Sequence, residues 1–142
     1  MEPTKTEYEV DRRSALLLGM MGTTALFGMT PQALAHEVKS EELAPGVTIK
    51  TLREVDAMIP GFSKARLLEL TFQPGSKLGP EKGTTVVVCE IQGAPLDINI
   101  EGQKPFTLQP GDIYACPAGW VETDTNNSSA PSIMRVAELQ PA

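Results

Sequence analysis

Gly111-Asp112-Ile113-Tyr114-Ala115-Cys116-Pro117-Ala118-Gly119-Trp120-Val121-Glu122-Thr123-Asp124-Thr125-Asn126 is the stretch whose reading decides the fold. Asp112 to Cys116 reads as a short strand. Pro117-Ala118-Gly119 stops it with a tight corner, because proline presets φ and glycine can adopt a positive φ. Trp120 to Thr125 then resumes an extended run rich in β-formers. Strand, corner and strand follow one another with no helical period between them.

The same pattern continues outward on both sides. Val47 to Leu52 alternates apolar residues with Thr and Lys, the period-two signature of a half-buried strand. Residues 53–63 contain Met58-Ile59-Pro60-Gly61 and read as a loop. Ala65 to Phe72 is a strand stopped by Pro74-Gly75, and Thr84 to Ile91 is the strongest β-branched run, ended at Gly93. Leu96 to Ile100 alternates again, Glu101-Gly102 turns, and Lys104 to Leu108 leads to Pro110-Gly111. Ile133 to Leu139 completes the set, after a polar loop at Asn126-Asn127-Ser128-Ser129. Strands every ~8–12 residues, separated by Gly/Pro turns, predict an all-β sandwich or barrel.

Composition removes several classes of function. A chain of 142 residues has room for one domain. Twelve Lys and Arg against 18 Asp and Glu leave a net charge of −6. That sign opposes nucleic-acid binding and electrostatic anchoring to anionic lipid. One histidine excludes a metal site built from two or three imidazoles, and two cysteines exclude a four-thiolate zinc site.

The N-terminus reads as a targeting segment. Residues 1–14 are polar and carry Arg12-Arg13, an apolar run follows from Ala15 to Phe27, and Gln32-Ala33-Leu34-Ala35 supplies a small-x-small end. The run is too short to span a bilayer and matches a secretory signal peptide cleaved after Ala35; the alternative is an uncleaved N-terminal membrane anchor. Asp11-Arg12-Arg13-Ser14-Ala15-Leu16 resembles the twin-arginine export signal, although Asp stands where that signal has Ser or Thr. The resemblance implies export to a bacterial periplasm or exterior. Residues 1–35 are thus expected to be the signal and 36–142 the mature domain, with no stable membrane anchor after cleavage. His36 would begin the mature chain. An N-terminal amine and imidazole can chelate copper, but a histidine brace needs a second histidine that this sequence lacks. The alternative is a frayed terminal residue.

The quoted stretch resembles the second motif of the cupin superfamily: Gly, five residues, Pro-x-Gly, two residues, His, three residues, Asn. Gly111, Pro117, Gly119 and Asn126 keep every spacing, and Glu122 stands in the histidine position. Upstream, Pro74-Gly75, Val86 to Gly93 and the step to Gly102 resemble the first motif and its hairpin. The similarity covers about residues 65–139. It implies a double-stranded β-helix, the cupin jelly-roll barrel, preceded here by the signal segment.

The departure concerns the metal. The first cupin motif supplies two histidines and a glutamate. Counting from Gly75 puts the histidine positions on Glu81 and Gly83; counting back from Gly93 puts them on Pro80 and Lys82, with Val86 at the glutamate position. Neither count yields a histidine. The family's metal-dependent activities are therefore not carried over, and no cofactor is expected.

Glu122 and Glu81 remain as candidates at the barrel mouth, and Glu90 joins them if Val86 and Val88 face inward, by period two. Acids in an apolar barrel titrate high unless paired, which suits acid–base work or a weak oxygen site for a divalent metal. The plainer alternative is solvated carboxylates. Trp120 and Tyr114 flank the corner, where they either line a ligand pocket or pack in the core. An inward Arg66 would point to an anionic ligand. The cupin fold would put Cys89 and Cys116 on adjacent strands, as a disulfide or as two buried thiols. The expectation is an exported, metal-free cupin-like protein that binds a small molecule or a protein partner around Glu122, Trp120 and Tyr114, with Glu81 and Glu90 as further candidates. The rival expectation is an enzyme using Glu122 and Glu81 as acid and base or as ligands to a divalent metal. A homodimer is a further possibility, and nucleic acid is not an expected partner.

Overall fold

The computed structural model describes residues 38–142. The expected signal segment, its cleavage after Ala35, and His36 lie outside the described residues. Ten strands and no helix make up the described chain: β1 (Ser40–Ala44), β2 (Val47–Asp56), β3 (Phe62–Phe72), β4 (Lys77–Lys82), β5 (Val86–Gly93), β6 (Leu96–Ile100), β7 (Phe106–Leu108), β8 (Ile113–Cys116), β9 (Val121–Thr125) and β10 (Ser132–Pro141). The all-β expectation holds. Every pairing is antiparallel, and the strands form two sheets. The larger is ordered β1-β2-β3-β10-β5-β8 and the smaller β4-β9-β6-β7.

From β3 onward the chain passes back and forth between the sheets, which is the jelly-roll path. Gly/Pro corners make the crossings. At the Pro117–Gly119 corner Gly119 has a φ of 96°, so the positive φ read from the sequence is realised. The two inner faces meet in one apolar core. Val47, Phe72, Ile91 and Met134 come from the large sheet and Leu96 and Ile98 from the small one, all nearly or fully buried. Each such side chain contributes roughly 1.5–3 kcal/mol by leaving water.

Two elements differ from the sequence reading. The 53–63 loop shrinks, because β2 runs on to Asp56 and β3 begins at Phe62. Pairing of Val55 with Ala65 and Asp56 with Lys64 extends both strands past the reach of any local pattern. Lys77–Lys82 is also a strand, although Lys-Leu-Gly-Pro-Glu-Lys has no β-branched residue. It is extended because β9 supplies its partners, with an irregularity between Leu78 and Glu81.

The outer face of the large sheet carries an apolar row, Ala115–Val88–Ala137–Leu67, across four strands in register. Val88 is 47% exposed there. This corrects the orientation of Glu90. Val87, Cys89 and Ile91 are the inward residues of β5, so Val86, Val88 and Glu90 point out. Glu90 is solvent-exposed and accepts a hydrogen bond from Gln92 Nε2 at 3.4 Å. Val86-Val87-Val88 is apolar on both faces, so its period-two phase was ambiguous.

Candidate functional site

Strand β9 builds the site. Its alternation turns Glu122 and Asp124 to the same face. Their neighbours in register are Ile100 and Ile98 of β6, which are core residues, so that face is the barrel interior. On the other side β4 places Leu78 beside Asp124 and Glu81 beside Glu122. The close approach of β4 depends on Gly79, whose φ is +94°. A Cβ there would lie 2.4 Å from the backbone oxygen of Glu122, so no other residue fits without moving the strand.

Strand β8 faces these carboxyls from the large sheet. Tyr114 Oη donates to Glu122 Oε1 at 2.5 Å, and Cys116 Sγ donates to Glu122 Oε2 at 3.5 Å. Phe106 packs edge-on against the Tyr114 ring, at 6.1 Å between centroids, and holds it in place. Two of the sequence candidates, Glu122 and Tyr114, are thus directly bonded. Trp120 and Glu81 line the same cavity, which has a volume of about 160 Å³ and includes Lys82, Cys116, Glu122 and Asp124 in its wall. Trp120 is 37% exposed at the rim. The rim is fixed by backbone: Gly119 N–H donates to Gly83 O at 2.7 Å, and Gly83 N–H donates to Trp120 O at 2.9 Å.

Asp124 is the residue that the sequence reading did not single out. It is only 6% exposed, and its Oδ1 has no hydrogen-bond partner. Burial, then the charge and hydrogen bond of Glu122, then the charge of Glu81 push its carboxyl up to about 9. Asp124 is therefore an acid that keeps its proton at neutral pH. Period two from Glu122 would have found it, since positions 122 and 124 share a face.

Cys89 and Cys116 are free and buried. Burial first, and the neighbouring carboxyl groups after it, push both up to about 12. Register pairs Cys89 with Tyr114 and Cys116 with Val87, so the two cysteines are staggered rather than opposite. The same burial raises the Tyr114 hydroxyl, which stays a hydrogen-bond donor.

Among the described residues no three His, Cys, Asp or Glu side chains are grouped to hold an ion. Both oxygens of Glu122 already accept protein hydrogens. Arg66 lies in phase with the inward residues Leu68, Leu70 and Phe72, but its charge is matched. Glu138, itself buried, accepts from Arg66 Nη2 at 2.8 and 3.0 Å. A second depression, on the outer face of the small sheet, holds Asp97 among Thr and Asn side chains. There Thr107 Oγ1 and Asn127 Nδ2 donate to Asp97, and these bonds hold its carboxyl low. Its acceptors are already supplied, unlike those of Asp124.

No family model matches the chain, and no curated protein matches it. Its fold matches solved structures. An RmlC-like cupin from Shewanella frigidimarina superposes with a TM-score of 0.56 at 14% identity, over 78% of this chain and 89% of that one. A sugar phosphate isomerase from the cupin superfamily, from Silicibacter pomeroyi, gives a TM-score of 0.59 at 17% identity, over 73% and 72%. KdgF from a Halomonas species gives 0.55 at 15% identity, over 74% and 91%.

Proposed function

We propose, on a barrel with the fold of cupin proteins, that this chain binds a small polar molecule in the cavity between β4, β8 and β9. The observation that carries the reading is Asp124: a buried carboxyl in the cavity wall with an oxygen left unpartnered. Such an atom costs roughly 1–3 kcal/mol unless something hydrogen-bonds to it. A ligand entering past Trp120 supplies that bond. Export through the twin-arginine-like segment, and a periplasmic or secreted location, belong to the same proposal and rest on residues 1–35 alone.

A second reading, acid–base catalysis, has one observation in its favour. Asp124 keeps a proton at neutral pH beside Glu122, which accepts hydrogens, so a donor and an acceptor sit side by side. The two readings part on whether a bound compound is recovered unchanged. The isomerase that shares the fold acts, by its description, on a sugar phosphate. A phosphate here would face Glu81, Glu122 and Asp124 with only Lys82 in the wall to offset them.

The test is a thermal-shift screen of small amines, polyols and sugar acids against the wild type and Thr85→Phe, which fills the cavity from its wall. Compounds that raise the wild-type Tm and leave Thr85→Phe unmoved are the expected result. A screen in which no compound acts, or in which both proteins respond alike, overturns the pocket reading.

A further inference from the structure

We infer that the ligand of this cavity is a small organic cation, an ammonium or guanidinium group on a compact body, and that its binding displaces a proton from Asp124 into water. The inference deepens the pocket-binding reading above and rests on it.

Charge and donor count select the ligand class. Three acidic residues, Glu81, Glu122 and Asp124, line the cavity, against the single cation Lys82. The two donors that β8 turns toward the acids, Tyr114 and Cys116, both donate to Glu122. Arg66, the inward cation of the large sheet, is held by Glu138. Asp124 Oδ1 is left without a partner, so the unfilled need at that atom is for a donor. An ammonium brings three and no acceptor, whereas a hydroxyl adds lone pairs to a site that has acceptors in excess. An anion would be repelled. Trp120 adds a second, independent feature, an aromatic ring at the rim, against which a cation is favoured by roughly 0.5–2 kcal/mol. A cavity of about 160 Å³ sets the size. A void of about 150 Å³ accepts a benzene-sized body.

The proton follows from the neighbours of Asp124. Facing it are Glu122 on its own strand, Glu81 and Lys82 on β4, Tyr114 and Cys116 on β8, and Cys89 on β5. Burial and the two glutamates keep its proton in place. A positive charge in the cavity reverses the second of these effects and favours the ionised form of Asp124. The balance is one cation in and one proton out, so the charge of the site is the same before and after binding.

Isothermal titration with cyclohexylammonium, ethanolammonium and agmatine tests this, with cyclohexanol as the neutral twin of the first. The expected result is that cyclohexylammonium binds about tenfold or more tightly than cyclohexanol. Its heat in phosphate and in Tris should differ by an amount equal to about one proton released per ligand. Affinity should rise with pH across the neutral range, and Asp124→Asn should remove both the buffer difference and that rise. Trp120→Ala should weaken the ammonium by about tenfold and cyclohexanol by less. Three results overturn the inference: no ammonium binding at millimolar concentration, equal binding of cyclohexanol, or wild-type heats that are independent of buffer. A polyol that binds the wild type but not Thr85→Phe would sink the cation and leave the pocket standing.

Discussion

Asn126 and Asp124 lie two residues apart on one inward face, both buried, and their surroundings are opposite. Asn126 is 0% exposed, and its whole amide is used. Its Nδ2 donates to Phe72 O at 2.8 Å and to Ala130 O at 2.9 Å, while Oδ1 accepts from Ser128 N and Oγ. Ser132 beside it donates to Ala94 O. Asp124, one step toward the mouth, has an oxygen with no partner and a second acid next to it. Buried polar groups that serve only the fold are normally satisfied within the fold. Asn126 follows that rule, although Ser76 Oγ, on the residue whose carbonyl accepts from Asn126 N–H, has no partner either. Asp124 breaks it differently, as an acid in a cavity wall, and that combination is what marks the site.

The contrast can be broken at either end. Asn126→Ala removes the partners of two carbonyls and of the Ser128 loop, and is expected to cost about 3 kcal/mol in urea unfolding, the largest effect here. A loss under about 1 kcal/mol would mean that water replaces the amide, and the closed end would no longer differ in kind.

Asp124 should act the other way. Its folded carboxyl titrates near 9 against an ordinary value of 3.8, so the folded protein holds a proton that the unfolded chain releases. The stability this contributes is full below the ordinary value and is lost as pH rises through the folded one. Unfolding midpoints should therefore fall from about pH 5 to about pH 9, and Asp124→Asn should flatten that fall. Near pH 8 the variant is expected to be more stable than the wild type by about 1–2 kcal/mol, because the amide is neutral in both states whereas the wild type must take up a proton to fold. Stability rising with pH in the wild type would show that Asp124 is ionised at neutral pH.

Glu90→Ala provides the smallest effect. Glu90 is exposed on the outer face, so stability should change by less than about 0.5 kcal/mol and ammonium affinity not at all. A change in binding would return Glu90 to the interior.

How much of this was legible in sequence depended on how local the cause was. The corner at Pro117–Gly119 was readable because proline and glycine act through their own dihedrals. Core strands such as Leu96–Ile100 were readable because one face only is apolar. Strand β4 was not, since Gly79-Pro80 reads as a break and only pairing with β9 makes the segment extended. The phase of β5 was not, because three consecutive valines satisfy either face.

For the site, the sequence by itself determined that Glu122 occupies a histidine position of a cupin-like motif, that Tyr114 and Trp120 flank the corner, and that the described barrel contains no imidazole. Only the tertiary structure decided which of the acids meet. Glu81 is paired in register with Glu122 because Gly79 lets β4 approach β9, Glu90 is turned away by the register of β5, and Arg66 is neutralised by a strand 72 residues distant. The physical reason is that burial and neighbouring charge set what a carboxyl does, and both come from strands far apart along the chain.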